Sequence, residues 1–354
     1  MVVAVDFRVE AVLRRNNSAA APTFTRLGRM GTDRIDLTEE LNAAGELRFT
    51  TRVEALEPEI LDCLRDLASS PLEVWLYLDG ATDPMFAGAV TSLSPSRDGL
   101  AVTCKGLLHY LAAMAVDADV TYTAVDLFTI VKGLVDAWQA QTYGNFGIVT
   151  SAIATLGVTG THTYLVEEQH RVLRRIDDLA EGRFDYKVNS TSRALSLAAA
   201  HGLDLTGAVT IDSRNITDPG ATVSADWDDV SPVVYGQGTG AAPTVYASKS
   251  TSAGLLATFG RVASFASWSD VESAAENNNR TAAVAAYRGD VVFAPSLNLV
   301  PVVDVSVGDF TVGDTVTHRY DYGFGVVEGP FRVGTRRISV NRSTGATTIS
   351  VGFV

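Results

Sequence analysis

Two periods of apolar residues follow one another along this chain. Near the start, Val3, Val5, Phe7, Val9, Ala11 and Leu13 alternate with mostly polar neighbours, the pattern of a half-buried strand. Asn16 to Pro22 is small and polar and reads as a loop. Leu47 and Phe49 resume the alternation within GELRFTT. Pro58 suits a first helical turn, and Ile60, Leu61, Leu64 and Leu67 carry a helix to Ala68. The strands VWLYL, Met85 to Leu93 and LAVTCKG follow, with turns at Asp79-Gly80 and Asp98-Gly99.

From about Met114 the period lengthens. Thr123 and Asp126 form a variant capping box ahead of a helix striped by Leu127, Val131, Leu134, Val135 and Trp138. A Gly/Thr-rich connection, Thr142 to Thr163, leads to a second helix striped by Val172, Leu173, Ile176, Leu179 and Ala180. Gly182 stands where a left-handed C-cap is expected. The period then drops to two. Phe184, Tyr186 and Val188 alternate with Asp185, Lys187 and Asn189, Asn189 to Arg193 turns, and Leu195 and Leu197 resume. A helix on a hairpin is an architectural part and shows no chemistry.

After Pro219 the chain returns to strand. SPVVYGQGTG runs into a glycine-rich loop, and Ala241 to Gly254, rich in Ala, Ser and Thr, reads as a mobile or extended arm. Ser269 caps a helix over Asp270 to Tyr287 with Val271, Ala274, Ala275, Val284 and Tyr287 among its apolar positions. Asn277, Asn278 and Asn279 weaken its middle by propensity. Asp290 to Val354 is strand and turn.

An internal likeness joins the two ends. VWLYLDG, MFAGAVTSL and SRDGLAVTCKG have the plan of DTVTHRYDYGFGVVEGP, FRVGTRRISV and RSTGATTISVGF: strand, glycine turn, strand, polar-Gly turn, strand. The expected class is α+β, mainly β, with two similar antiparallel β-barrel-like domains and an α/β domain between them. The expected boundaries are 1–114, 115–215 and 216–354, the last holding an inserted loop and helix at about 237–289.

Composition narrows the function. The 354 residues are 46% hydrophobic and 19% charged, enough for a sizeable core and too apolar for general disorder. A net charge of -13 with scattered cations excludes nucleic-acid binding as the main task. The densest cations, Arg14-Arg15, Arg174-Arg175 and Arg336-Arg337, read as solvated faces. Cys63 and Cys104 read as buried small hydrophobes in a reducing compartment. MVVAVDFRVE lacks the basic region of a signal peptide, and no apolar run reaches the ~18 residues of a membrane span.

Candidate chemistry is thin. GQGTG at Gly236 to Gly240 follows a strand, but no helix and no Gly-Lys-Ser/Thr follow it, so a tight turn beside an interface is preferred to a phosphate loop. His109, His162, His170, His201 and His318 show no i, i+4 pair, and the cysteines no C-x-x-C. Asp226, Asp228 and Asp229, and Asp117 with Asp119, lack the order of a calcium loop. Glu167, Glu168, Asp177, Asp178 and Glu181 could hold a glycosidase-like pair, but acids there complement a helix dipole or line a solvated face. No Gly-x-Ser-x-Gly elbow occurs. No catalytic residue, cofactor site or metal site is expected.

The order of these pieces resembles the baseplate hub, or tail-tip hub, proteins of tailed bacteriophages, and the two-barrel core of type VI secretion spikes. The resemblance is carried by GELRFTT, VWLYLDG with MFAGAVTSLS and DGLAVTCKGLLHYL, RALSLAAAHGLDLT, NITDPGATVSADWDDVSPVVYGQGTG, AYRGDVVFAPSLNLVPVVDVSVGDFTVGDTV and the terminal RRISVNRSTGATTISVGF. Similar sequences occur as minor tail proteins of phages infecting actinobacteria. The resemblance implies a non-enzymatic virion protein of the phage tail tip, assembled in the host cytoplasm. It would be a homotrimer whose paired β domains imitate a six-fold ring, join the tail tube to a three-fold tip and line the channel for genome ejection. Its implied partners are the distal tail protein, the tape-measure protein and tip or fibre proteins, with DNA only in transit and no stable membrane insertion. No lysozyme-like domain or β-helical spike repeat is seen in the sequence. A second reading is a carbohydrate-binding receptor-recognition protein using Tyr143, Phe146, Trp227, Tyr235 and Trp268. A cell-wall hydrolase ranks last.

Overall fold

The two ends of the chain join in one sheet, where residues 34–40 pair with residues 335–341. The structure, a computed structural model, describes residues 6–16, 20–67, 71–78, 80–97, 99–181, 183–216, 221–225, 230–238, 247–268, 271, 274–288, 293–299, 305–323 and 325–354. Outside the described residues lie the expected strand start at Val3 and Val5, part of the first polar loop, Ala68, Asp79, Asp98 and the C-cap Gly182. So do Pro219, the Asp226, Asp228 and Asp229 trio, Trp227, Thr239-Gly240, residues 241–246, and Ser269 with Asp270.

The first part of the chain runs β1 (Phe7–Arg15), β2 (Thr23–Met30), β3 (Arg34–Glu40), β4 (Glu46–Thr51), α1 (Pro58–Arg65), β5 (Leu72–Leu78), β6 (Phe86–Ser96) and β7 (Gly99–Gly106). The middle holds α2 (His109–Ala113), β8 (Val120–Asp126), α3 (Leu127–Gln139), β9 (Thr159–Tyr164), α4 (Val172–Ala180), β10 (Asp185–Val188) and β11 (Leu195–Ala198). There follow β12 (Thr210–Asp212), β13 (Thr222–Ala225), β14 (Val233–Gly238), β15 (Ala247–Thr251), α5 (Ala253–Phe259), β16 (Ala263–Trp268) and α6 (Ala274–Tyr287). The last part is β17 (Phe293–Leu299), β18 (Thr315–Asp321), β19 (Val326–Asn341) and β20 (Ala346–Phe353).

Mainly β with helices, the chain is α+β. One sheet of 13 strands has the order β13-β17-β20-β19-β3-β4-β7-β6-β5-β1-β2, with β18 on β19 and β12 parallel to β18. Among the described residues no ring of strands closes. Both expected meanders are present, β5-β6-β7 and β18-β19-β20, and the middle strand of each carries a bulge, at Val90/Ser92 and at Val333/Thr335. A bulge bends a strand and sharpens its twist. The meanders are not separate in hydrogen bonding. β3 pairs antiparallel with β19 from Arg34↔Asn341 to Glu40↔Thr335, and β3-β4 carries the ladder on to β7. One apolar core follows. Leu37, Leu47, Phe49 and Cys104 share it with Ile338, Val340, Ile349 and Val351, and the Ile60, Cys63 and Leu64 stripe of α1 closes onto it.

A second core lies under the middle elements. Leu127, Ile130, Val131 and Val135 of α3 meet Val172, Ile176 and Leu179 of α4, and Phe184 and Tyr186 from the hairpin β10-β11. The stripe of the second helix and the hairpin turn at Asn189 to Arg193 are as expected. Two expectations about this region are corrected. Thr123 does not start a helix, because β8 remains paired with β9 up to Asp126, across a register shift at Tyr122/Val125 where Ala124 takes φ 52. Asp126 is itself the N-cap, its carboxylate accepting from the Phe128 and Thr129 amides and from Leu156 N and Gly157 N. The Gly/Thr-rich connection also contains β9, whose partner is β8.

The third part is an inserted unit. β15, β14 and β16 form a three-stranded mixed sheet. Its inner face packs Val234, Ala266 and Trp268 on Val271 and on Val284 and Ala285 of α6. The expected arm is therefore corrected from Ala247 onward, where the chain forms β15 and then α5. One of the three asparagines has a second role: Asn277 is fully buried and donates from Nδ2 to Gly236 O at 3.2 Å, which anchors α6 to the sheet, while Asn278 and Asn279 are exposed.

Candidate functional site

No three His, Cys, Asp or Glu side chains come together as a metal site among the described residues. What the sequence brings together is a set of buried charged joints between elements far apart in the chain. The first lies where the large sheet meets the helical layer. Glu73 of β5 is buried, accepts from Tyr110 Oη at 2.7 Å and pairs with Arg193 Nη1 at 2.9 Å. Arg193, in the hairpin turn, also donates to Phe146 O at 2.8 Å and lies over Phe24. Burial, and the Glu73 carboxylate beside it, push the Tyr110 phenol far above its usual range. It remains a hydrogen-bond donor at any ordinary pH.

The second joint ties the hairpin to both ends of the chain. Asp185 of β10 accepts from Arg332 of β19, from His201 N at 2.7 Å and from Asn42 Nδ2 at 3.3 Å. Asn42 turns β3 into β4 with φ 59, a left-handed conformation that Asn tolerates better than most residues. Its Oδ1 accepts from Tyr186 N at 2.8 Å. The third joint seats the inserted unit. Glu276 of α6 pairs with Arg183 and, at 3.2 Å, with Arg280, while His162 Nε2 of β9 stands 3.8 Å away. Arg280 lies over Trp268, whose Nε1 donates to Glu181 at 3.2 Å.

Each expected group finds its place around these joints. The double arginines split: Arg14 is buried over Tyr110 while Arg15 is exposed, and Arg336 is buried on Glu39 while Arg337 points out. Strand alternation produces both splits, which corrects the solvated-face reading for Arg14 and Arg336. On α4, Arg174 is mostly exposed and Arg175 mostly buried, and both pair with Asp178.

The acids of the central helix and the β10 hairpin border a cleft of about 680 Å³. Within it Asp178 is held by arginines, Asp185 by Arg332, and Asp177 by the Tyr186 hydroxyl. Burial raises the Asp177 carboxyl above its usual range. These carboxylates all serve structural partners. Asp117 accepts from Gln141, Asp119 from Val166 N, and His170 contacts Glu168.

His318 is fully buried, within 3.2 Å of Ile211 O and 3.0 Å of the Tyr322 hydroxyl. Burial holds its imidazole, like that of His201, below the usual range and so neutral. His109 on α2 is half-buried. Cys63 and Cys104 are both free and buried. The GQG stretch is corrected from a tight turn to strand. Gly236, Gln237 and Gly238 belong to β14, and a Cβ at Gly238 would stand 2.7 Å from Val271 O.

The expected aromatic platforms disperse. Trp268 is core and Phe146 stacks on Tyr110 at 5.1 Å, while Tyr143 is exposed. Tyr235 stacks on Phe265 at 5.4 Å on the outer face of the inserted sheet, and Phe265 is 77% exposed.

No protein-family model matches the chain, and no curated protein matches it. Solved structures do. A tail protein from Neisseria meningitidis matches with a TM-score of 0.64 at 14% identity, over 98% of this chain and 96% of that one. A 43 kDa prophage tail protein from Shewanella oneidensis matches at 0.65 and 13% identity, over 98% of each chain. The chain has the fold of bacteriophage tail proteins. A chain of the Francisella PdpA–VgrG complex matches at 0.56 and 9% identity, with 98% of this chain on 52% of that one.

In this tail-protein fold the residues that hold the parts in register are Glu73, Arg193, Asp185, Arg332, Glu276 and Arg183. Sequence reasoning missed all six in that role. One signal was available at Glu73, an acid on the strand face it shares with Trp75 and Tyr77, whereas Asp185 alternates with Phe184 and Tyr186 and so reads as solvated.

Proposed function

We propose that this chain is an architectural protein of a phage tail tip: a homotrimeric hub that adapts a six-fold tail tube to a three-fold tip. The observation that carries this reading is the end-to-end match of fold with phage tail proteins, over 98% of this chain and 96–98% of the others. In this reading the parts are 1–114, 115–215 and 216–354, and the two bulged meanders are the kernels of two similar barrel-like domains. Three chains would then present six such domains around the channel. The distal tail protein, the tape-measure protein and tip or fibre proteins would be its neighbours, in a virion part assembled in the host cytoplasm. The net charge of -13 suits a lumen through which phosphates slide without binding. The carboxylates bound into joints favour scaffold over catalysis. Among the described residues no helix is long and apolar enough to cross a membrane.

The test is the mass of the purified chain in solution, followed by its symmetry in electron micrographs. The hub reading expects a closed three-fold ring with a central channel. A species that stays monomeric at every concentration, or a ring of another symmetry, contradicts it. A basic lumen with acids facing outward contradicts the charge argument separately.

A further inference from the structure

The chain carries 41 acidic and 28 basic residues, yet one described surface runs against that balance. On the outer face of the β15-β14-β16 sheet, the register Tyr235↔Lys249 and Tyr235↔Phe265 sets Lys249, Tyr235 and Phe265 in one row across three strands. Arg261 donates from Nη2 to the Tyr235 hydroxyl at 3.1 Å. Lys249 Nζ lies over the Tyr235 ring, 5.8 Å from its centroid, and Phe265 stacks on the ring at 5.4 Å with a 17° interplanar angle. The opposite face of the same sheet is taken by α6, so this row contributes nothing to that core. Phe265 projects with 77% of its surface in water.

Stacking and the Arg261 hydrogen bond hold the row rigid before any partner arrives, which lowers the ordering cost of association. Rigid aromatics beside cations are the side chains in which interface energy concentrates. Phe265 covers a face of the Tyr235 ring and Lys249 stands near it, which leaves little of that ring for a sugar or nucleobase to stack on. What projects is a knob of ring edges with a cationic rim, a shape suited to a protein socket with carboxylates around it.

We propose that this row docks onto the acidic surface of a second copy of this chain, at residues 53–66. That segment offers the complement. Val53 is exposed there, among the exposed carboxylates of Glu54, Glu57, Glu59, Asp62 and Asp66, and Arg65 is the one cation in the segment. The contact is heterologous, one patch meeting a different patch, and repeated contacts of that kind generate rings when the rotation closes. The inference rests on the homo-oligomeric reading above and names a surface for it.

The test is sedimentation velocity of the full chain across a concentration series at low and high salt, with Phe265→Ser and the Lys249→Glu/Arg261→Glu pair beside it. These side chains face outward, so thermal unfolding of each variant is expected to match the parent. Self-association of the parent should weaken with salt, and each variant should weaken it at least about tenfold. Glu59→Lys/Asp62→Lys mixed with Lys249→Glu/Arg261→Glu should restore association between the two variants. Rings that persist unchanged in Phe265→Ser overturn this surface and leave the hub reading standing. A parent that is monomeric throughout overturns both. A parent that fails to self-associate but binds a glycan or a short DNA duplex through Phe265 moves the row to another partner class and overturns the proposal.

Discussion

The large sheet and the inserted unit are built on opposite principles. In the sheet, strands from the two ends of the chain share one apolar core, and Leu37 faces Ile338 directly across the β3-β19 ladder. In the inserted unit the buried apolar cluster among the described residues is Val234, Trp268, Val271 and Val284. Its attachment to the rest of the molecule is polar, through Glu276, Arg183, Arg280 and His162. Apolar burial is non-directional and sums over area, so it makes a cooperative slab. A buried ion cluster gains little net stability, but removing one partner leaves the others buried and uncompensated, so this seat is sensitive to a single change. The difference gives the molecule one cooperative slab and one separately seated unit.

The sharpest way to break this comparison is at the polar seat. Glu276→Ala leaves buried guanidinium groups without their carboxylate and should cost about 3–5 kcal/mol. The loss should be local, with faster amide exchange in β14, β16 and α6 and unchanged protection in β3 and β19. Equal loss in both regions would show that the unit is not separately seated.

At the apolar seam, Ile338→Ala should cost about 2–5 kcal/mol. Its effect should be global, lowering one melting transition for strands from both ends of the chain. Two transitions, with the N-terminal strands spared, would show two independent domains.

A smaller effect is expected at Asp126→Ala, about 1 kcal/mol for the lost cap, and more if the Leu156 and Gly157 amides find no new acceptor. Chemical denaturation of that variant measures it. A change within error would mean that the cap adds nothing to the packed helix.

The smallest effect is in acid. Burial keeps His201 and His318 neutral, with pKa values below the ordinary 6.5. The unfolded chain takes up protons there that the folded chain refuses. Their stabilising contribution is therefore whole above pH 6.5 and declines as pH falls below it toward the folded values. Asp177, raised by burial, acts in the opposite direction as it protonates. Replacing His318 with Phe, among Phe331 and Phe353, should flatten the acid limb of a melting-temperature profile. An unchanged slope would remove His318 from that account.

Much of the fold was legible as period. Leu47 and Phe49, the α4 stripe and both meanders are signals carried by a few consecutive turns or residues. β2, β3, β8 and β9 were not legible, because TFTRLGRM and TGTHTY carry few apolar positions and owe their state to partners elsewhere. The fusion of the two ends into one sheet rests on pairs such as Ser339 with Asp36, 303 residues apart, which no local pattern encodes. The joints were hidden for the same reason. Arg183 and Glu276 are 93 residues apart and Arg193 and Glu73 are 120 apart, and each charge taken alone reads as a solvated face. Phe265 was passed over because ASFASW, with Phe265 and Trp268 three apart among small residues, shows no clear period of two.

The most direct test of the central claim is hydrogen exchange of the full chain under increasing denaturant, resolved by peptide. The account predicts that β3, β4, β7, β19 and β20 exchange through one common opening, while β14, β16 and α6 open at lower denaturant without them. Separate openings of the N-terminal and C-terminal strands, or one opening shared by the inserted unit and the sheet, would contradict it.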